Sequence, residues 1–252
     1  EEGPIDEEAI RETLSSSSKE NLRFRNLGWG DTRLATLANL LSTSEHFMRL
    51  DLSMNVRITA EGVSSFAKAA PLKALLGLNL DGCSSIRDEG MKALAAASSG
   101  MRFLQDLSIC ECGIGDNGFG SLVTALIAGK LPRLQSLLAN RNEIGDDGAD
   151  TLTAAARRGR LPQLQVLGVG TRLSSDGIRA VIAATGSLKQ LKELRLSDNS
   201  AAMRCGPEAI QLSAEAGTLS PRVNIELFDR VALLPMLLAQ LGTYGGTVPA
   251  GA

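Results

Sequence analysis

The sequence predicts an α/β solenoid of about eight strand–loop–helix units, with parallel strands on the concave side of a horseshoe and helices on the convex side. Three observations carry that expectation. A strand-like pattern, L-x-x-L-x-L-x-x-N/C, recurs through the chain, and a short step ending in glycine follows five of its copies: ITAEG, IRDEG, IGDNG, IGDDG and LSSDG. Segments with helical apolar spacing come next. Taking the second apolar residue of L-x-L as a marker gives Phe24, Leu52, Leu80, Ile109, Ala139, Val169, Leu196 and Ile225, which recur every 27 to 30 residues. A unit of this size cannot bury its apolar stripe alone, and stacking makes one continuous core.

The elements follow in chain order. Residues 1–21, EEGPIDEEAIRETLSSSSKEN, read as an acidic helical segment capping the first unit. Residues 22–228 form the repeat domain. Its first copy is LRFRNLGWGD, with Trp29 where later copies have Ile. FMRLDLSMN (47–55), LLGLNLDGC (75–83), LQDLSICEC (104–112) and LQSLLANRN (134–142) are strong copies. LQVLGVGTR (164–172) is weaker, LKELRLSDN (191–199) is strong, and VNIELF (223–228) closes the series. Alternating pairs such as Leu50/Leu52 and Leu107/Ile109 suit short strands with one face inward. Leu34/Leu37/Leu41, Val63/Phe66/Ala70, Phe119/Leu122/Leu126 and Ala149/Leu152/Ala156 lie at helical spacing. SAAMRCGPE reads as irregular, which leaves Cys205 without a place. Residues 229–252 read as a final apolar helix kinked at Pro235 and an extended Gly-rich tail.

Composition narrows the function. The net charge is −2, so the molecule as a whole does not attract nucleic acid or anionic membrane, and no apolar run reaches the roughly 18 residues of a membrane span. Four cysteines are too few for a disulfide scaffold, and no Asn-x-Ser/Thr sequon occurs. These point to an intracellular, reducing compartment. The chain begins with Glu1 rather than Met, which leaves organellar targeting open.

The strand motif, the Ile-to-Gly step and the following helix together resemble the ribonuclease-inhibitor-like class of leucine-rich repeat proteins. The resemblance implies that the N/C residue, here Asn55, Cys83, Cys112, Asn142 and Asn199, turns inward and hydrogen-bonds loop backbone. It also implies binding along the concave sheet. True ribonuclease inhibitors are acidic, Cys-rich and carry aromatic anchors there; this chain departs on each point. Ran GTPase-activating proteins share the repeat class, which makes regulation of a small GTPase the alternative reading. A sensing fragment of a larger immune-type receptor is the third.

Two residues beyond the Ile-equivalent in five copies stand Asp31, Asp88, Asp116, Asp146 and Ser175, expected as N-caps of the helices that follow. Glu61, Glu89, Asn117, Asp147 and Asp176 come near the first turn, where four of the five add charge that suits the helix dipole. The paired aspartates therefore read as punctuation rather than a calcium loop, which would need more oxygen ligands and a closing glutamate. No catalytic, cofactor or metal residues are assigned. Cys110-x-Cys112 lacks a second pair. His46 stands alone, Ser16 to Lys19 matches S-x-x-K without companion motifs, and Gly168-Val169-Gly170 lacks a third glycine.

What remains is binding. The expected function is a non-catalytic protein-interaction module, a scaffold or subunit of a larger assembly, with no cofactor and no nucleic-acid role. Candidate partner contacts are Arg23, Arg25, Asp51, Asn79, Asp81, Glu111, Arg141 and Arg195 on the sheet side. Leu234, Leu237, Leu238 and Leu241 on the last helix are expected to be covered by a partner. Lys130, Arg133, Arg157, Arg158 and Arg160 should line one rim, read first as helix C-terminal charges that complement the dipole and second as a basic rim for an acidic partner or nucleic acid.

Overall fold

The computed structural model describes residues 10, 21–42, 47–69, 72–170, 172–197, 199–228 and 231–232. Strands β1 (Asn21–Arg23), β2 (Arg49–Asp51), β3 (Gly77–Asn79), β4 (Asp106–Ser108), β5 (Ser136–Asn140), β6 (Val166–Gly170), β7 (Glu193–Arg195) and β8 (Asn224–Phe228) pair in sequence order, all parallel. Between them run helices α1 (Asp31–Ser42), α2 (Ala60–Ala69), α3 (Arg87–Ala97), α4 (Asp116–Ile127), α5 (Asp146–Arg157), α6 (Ser175–Ala184) and α7 (Ser200–Glu215). This is the stacked α/β solenoid that the repeat pattern predicts. Each unit contacts its neighbours, helix on helix and strand on strand.

The core is a set of ladders. Leu22, Leu50, Leu78, Leu107, Leu137, Leu167, Leu194 and Ile225 lie in register across the eight strands, all buried. The Ile residues of the steps, Ile58, Ile86, Ile114 and Ile144, are completely buried beneath the helices. Trp29 takes that place in the first unit, and its ring stacks on Phe24 at 4.6 Å. Burying a Leu or Ile side chain contributes about 1.5–3 kcal/mol, and every rung does so against both neighbours. Ile10, in the expected N-terminal cap, is helical and belongs to the same core.

Three expectations are corrected. The last copy was placed two residues out of register: Ile225 pairs with Leu194, and Glu226 rather than Asn224 lies beside Arg195. The SAAMRCGPE segment is not irregular but opens the 16-residue α7, with Pro207 inside it. Proline in a helix interior costs about 3 kcal/mol, but Ala201, Ala202, Cys205, Ala209 and Ile210 share one buried face and hold the helix against the core. Finally, where a terminal helix was expected from Asp229, Val231–Ala232 form a short strand β9, antiparallel to β8. The rest of that expectation, including Leu234, Leu237, Leu238 and Leu241, lies outside the described residues, as does His46.

Candidate functional site: the exposed sheet face and its supports

Two internal ladders hold the loops that frame the sheet. The first is the N/C ladder. Asn142, 2% exposed, accepts from the backbone amides of Cys112 (2.9 Å) and Ile114 (3.1 Å) and donates to the carbonyls of Ile109 (2.7 Å) and Ala139 (3.0 Å). Asn55 does the same for Leu27, Trp29, Phe24 and Leu52, and Asn199 bonds Leu173, Gly170 and Leu196. The cysteines keep the donor half: Cys83 Sγ donates to Leu52 O (3.4 Å) and Cys112 Sγ to Leu80 O (3.1 Å). Arg172 stands at this position in the weak sixth copy and instead faces out to Glu143 at 3.4 Å.

Burial pushes the Cys83 thiol up to about 11, and Asp81 and Asp51 add to the shift against a lowering bond from Asn55. Burial likewise raises Cys112, and it raises Cys110 to about 11 with Asp81 nearby. A thiol held neutral is a poor nucleophile. At pH 8 the folded protein should therefore resist a thiol-labelling reagent at Cys83 and Cys112, and label fully once unfolded. Rapid labelling of either in the native state would contradict their place in the ladder. Above the ordinary thiol range the unfolded chain ionises first, so this contribution to stability declines as pH rises towards about 11.

The second ladder is formed by the aspartates, and it differs from the expected caps. Gly115 and Gly145, not the aspartates, occupy the N-cap positions of α4 and α5, and neither helix has a side-chain cap of its own. Each Asp instead reaches into the next unit. Asp31 accepts from Thr59 N (2.8 Å), Asp88 from Gly115 N (2.6 Å), Asp116 from Gly145 N and Gly148 N (2.8 and 2.9 Å), and Asp146 from Ser174 N (2.9 Å). One residue earlier than expected, Ser174 rather than Ser175 caps α6, accepting from Asp176 N and Gly177 N. The following glycines make room: a Cβ at Gly118 would lie 2.6 Å from Asp88 Oδ1, and one at Gly148 2.7 Å from Asp116 Oδ1. Ala60 replaces the Asp in the second unit, and α3 in the next unit starts without a side-chain cap.

Among the expected contacts, Arg23 and Arg25 are exposed, and Asp51, Asn79, Asp81 and Arg195 are half-buried on the sheet face. Asp81 is tied down, accepting from Ser108 Oγ (2.7 Å) and Cys110 N (2.7 Å). Arg195 is held by Glu193 (2.6 Å) and Glu226 (3.6 Å), and the Glu193 hydrogen bond leads in raising its pKa. Glu111 and Arg141 pair at 2.9 Å at the strand ends, and both have left-handed backbone (φ 56°), a conformation that costs a non-glycine residue about 1–2 kcal/mol.

Sequence reasoning missed the residue before each ladder Leu, which shares the face because strand side chains alternate with period two. There Arg49 crosses Gly77, which has no side chain to obstruct it, to reach Asp106 at 2.7 Å two strands away. Asn140 leans over Gly168 in the same way and donates to Arg195 O at 3.2 Å. Around the Arg49 bridge lies an open depression of ≈ 470 Å³, bordered by Arg23, Asn79 and Leu138. Among the described residues no cluster of His, Cys, Asp or Glu could hold a metal, and no helix is long and apolar enough to cross a membrane.

A leucine-rich repeat family model matches residues 43–67 and 75–95, which cover the second and third units. No curated protein matches the chain. The two matched units and the stacked architecture support a leucine-rich repeat protein, a type that is typically a non-catalytic interaction module.

Proposed function

We propose that this protein is an interaction module that binds a protein partner across the exposed face of its parallel sheet, as a scaffold or accessory subunit of a larger assembly. The observation that carries the reading is the face itself: eight strands in one register whose outward side chains have no helix over them among the described residues. Rigidity supports it. Cross-strand bridges such as Arg49–Asp106 and Arg195–Glu226 fix the side chains before any partner arrives, and a pre-ordered surface loses less entropy on binding.

The test is affinity purification from the native source with wild-type chain and with a sheet-face variant, Arg23→Glu/Asn79→Arg/Leu138→Arg, followed by direct binding of the recovered proteins. The expected result is a partner retained by the wild type and weakened about tenfold or more by the variant, since central interface substitutions cost the most. Recovery of the chain alone at low and high salt, or equal binding by both forms, refutes the proposal.

A further inference from the structure

Six of the seven loops that return from a helix to the next strand carry charge of one sign; the first, 43–48, holds Glu45 and no Lys or Arg. The six loops 70–76, 98–105, 128–135, 158–165, 185–192 and 216–223 contain nine Lys and Arg residues and no Asp or Glu. In a chain of net charge −2 that is a strong segregation. The opposite edge, where strands lead into helices, is mixed and paired, as in Glu111–Arg141 and Glu143–Arg172.

Complementing the helix dipole explains only some of these cations. Arg158 is the C-cap of α5 and Lys73 ends a 3-10 turn, but Lys68 and Arg157 are the basic residues found in the last turn of an α-helix on this side, and α3, α4, α6 and α7 have none there. Lys130, Arg133, Arg160 and Lys189 stand beyond the helices, half-buried or exposed, and none is in an ion pair among the described residues. Arg133 has a fixed position, its guanidinium 4.6 Å above the ring of exposed Phe103 in the preceding loop, and Lys192 is held by donating to Gln165 Oε1 at 2.8 Å. Adjacent strands are about 4.8 Å apart, so six loops make a strip about 24 Å long.

We propose that this basic rim is a docking strip for an extended acidic segment of a partner polypeptide. It is a different surface from the sheet face and does not depend on that reading. An extended chain presents a side chain to one side about every 6.6 Å, so about four alternate acidic residues span the strip. The chemistry favours a peptide over a nucleic acid. Single-stranded nucleic acid binders stack bases on aromatic faces, and the exposed aromatic ring here, Phe103, is already covered by Arg133. The strip is also short, and a longer polyanion would run past it towards a molecule of net negative charge.

The experiment uses a dye-labelled 12-residue peptide of alternating Glu and Ser. Its binding to the full chain is compared with that of Arg133→Gln/Arg158→Gln/Arg160→Gln and of a control, Lys92→Gln/Arg179→Gln/Arg204→Gln, which removes three charges from the helix side. The expected result is saturable binding at low salt, weakened about tenfold by the rim variant, unchanged by the control, and lost on raising salt because exposed charges are screened. Failure to bind the peptide overturns the proposal, as does equal weakening by both variants. Tighter binding of a 12-nucleotide single-stranded RNA, or of phosphatidylserine vesicles, through the same three arginines overturns it in favour of that ligand. Because the variants leave the sheet face intact, failure here leaves the sheet-face reading to stand or fall on its own.

Discussion

Replacing Asn142 with alanine should cost about 3–5 kcal/mol, a large effect for a single polar substitution. The side chain satisfies two amides and one carbonyl of the preceding unit and the Ala139 carbonyl of its own, all in the interior. Alanine leaves those groups without partners, and an orphaned buried group costs about 1–3 kcal/mol, less where the loop relaxes. Asn142→Cys should be milder, about 1–2 kcal/mol, because Cys83 and Cys112 show that a thiol at this position still donates to a buried carbonyl. Urea denaturation followed by circular dichroism reads both. A broadened transition is expected as well for the alanine variant, because a weakened interface in the middle of a repeat stack lets its two ends unfold separately. A cost below about 1 kcal/mol for alanine, or no difference between alanine and cysteine, would show that the ladder does not hold the loops.

The fold was legible because two periods agree: apolar residues alternate within each copy, and copies recur about every 28 residues. Legibility failed where one of those periods lost its anchor. In the last unit Val223, Ile225 and Leu227 all alternate correctly, and no Asn or Cys follows to fix which is which, so the pattern fits equally well two residues away. In α7 the local signals Gly206 and Pro207 read as breakers, while the decisive force, burial of one helix face, comes from contacts the local sequence does not display. Gly206 itself is a packing residue, since a Cβ there would meet Leu227. On the sheet face the signal was present and under-used. Period two puts Arg49 and Asp106 on the same side as Asp51 and Ser108, but which of these side chains would bridge depends on Gly77 lying between them, and that is a property of the stack. The basic loops were visible as a cluster in two units; that the segregation runs through six, and lies beyond the helix ends, needed the element boundaries.

The aspartates show the same division, and they give the sharpest test. Asp146 and Gly177 should be strongly coupled although they belong to different units. Each substitution alone should destabilise. Asp146→Ala removes the acceptor for Ser174 N, at about 0.5–2 kcal/mol. Gly177→Ala places a methyl group against the Asp146 carboxylate, and overpacking of this kind costs about 1–3 kcal/mol. Together they should cost less than their sum by about 1 kcal/mol or more. With the carboxylate gone the nearest neighbour of the new methyl is Leu173 at an ordinary 3.5 Å, and alanine is a better helix residue than glycine by about 0.5–1 kcal/mol. A double-mutant cycle by chemical denaturation measures the coupling. Additive effects would mean that the carboxylate is not lodged against the next helix. A cation site at the paired aspartates makes a different prediction: calcium or magnesium would raise the melting temperature of the wild type, and Asp146→Asn would abolish the rise. The inter-unit bond needs only one acceptor oxygen, because Asp146 Oδ1 makes it alone. Asp146→Asn should therefore stay close to wild type, with or without divalent cations, and the recurring acid–glycine step is then the fastener between one unit and the next.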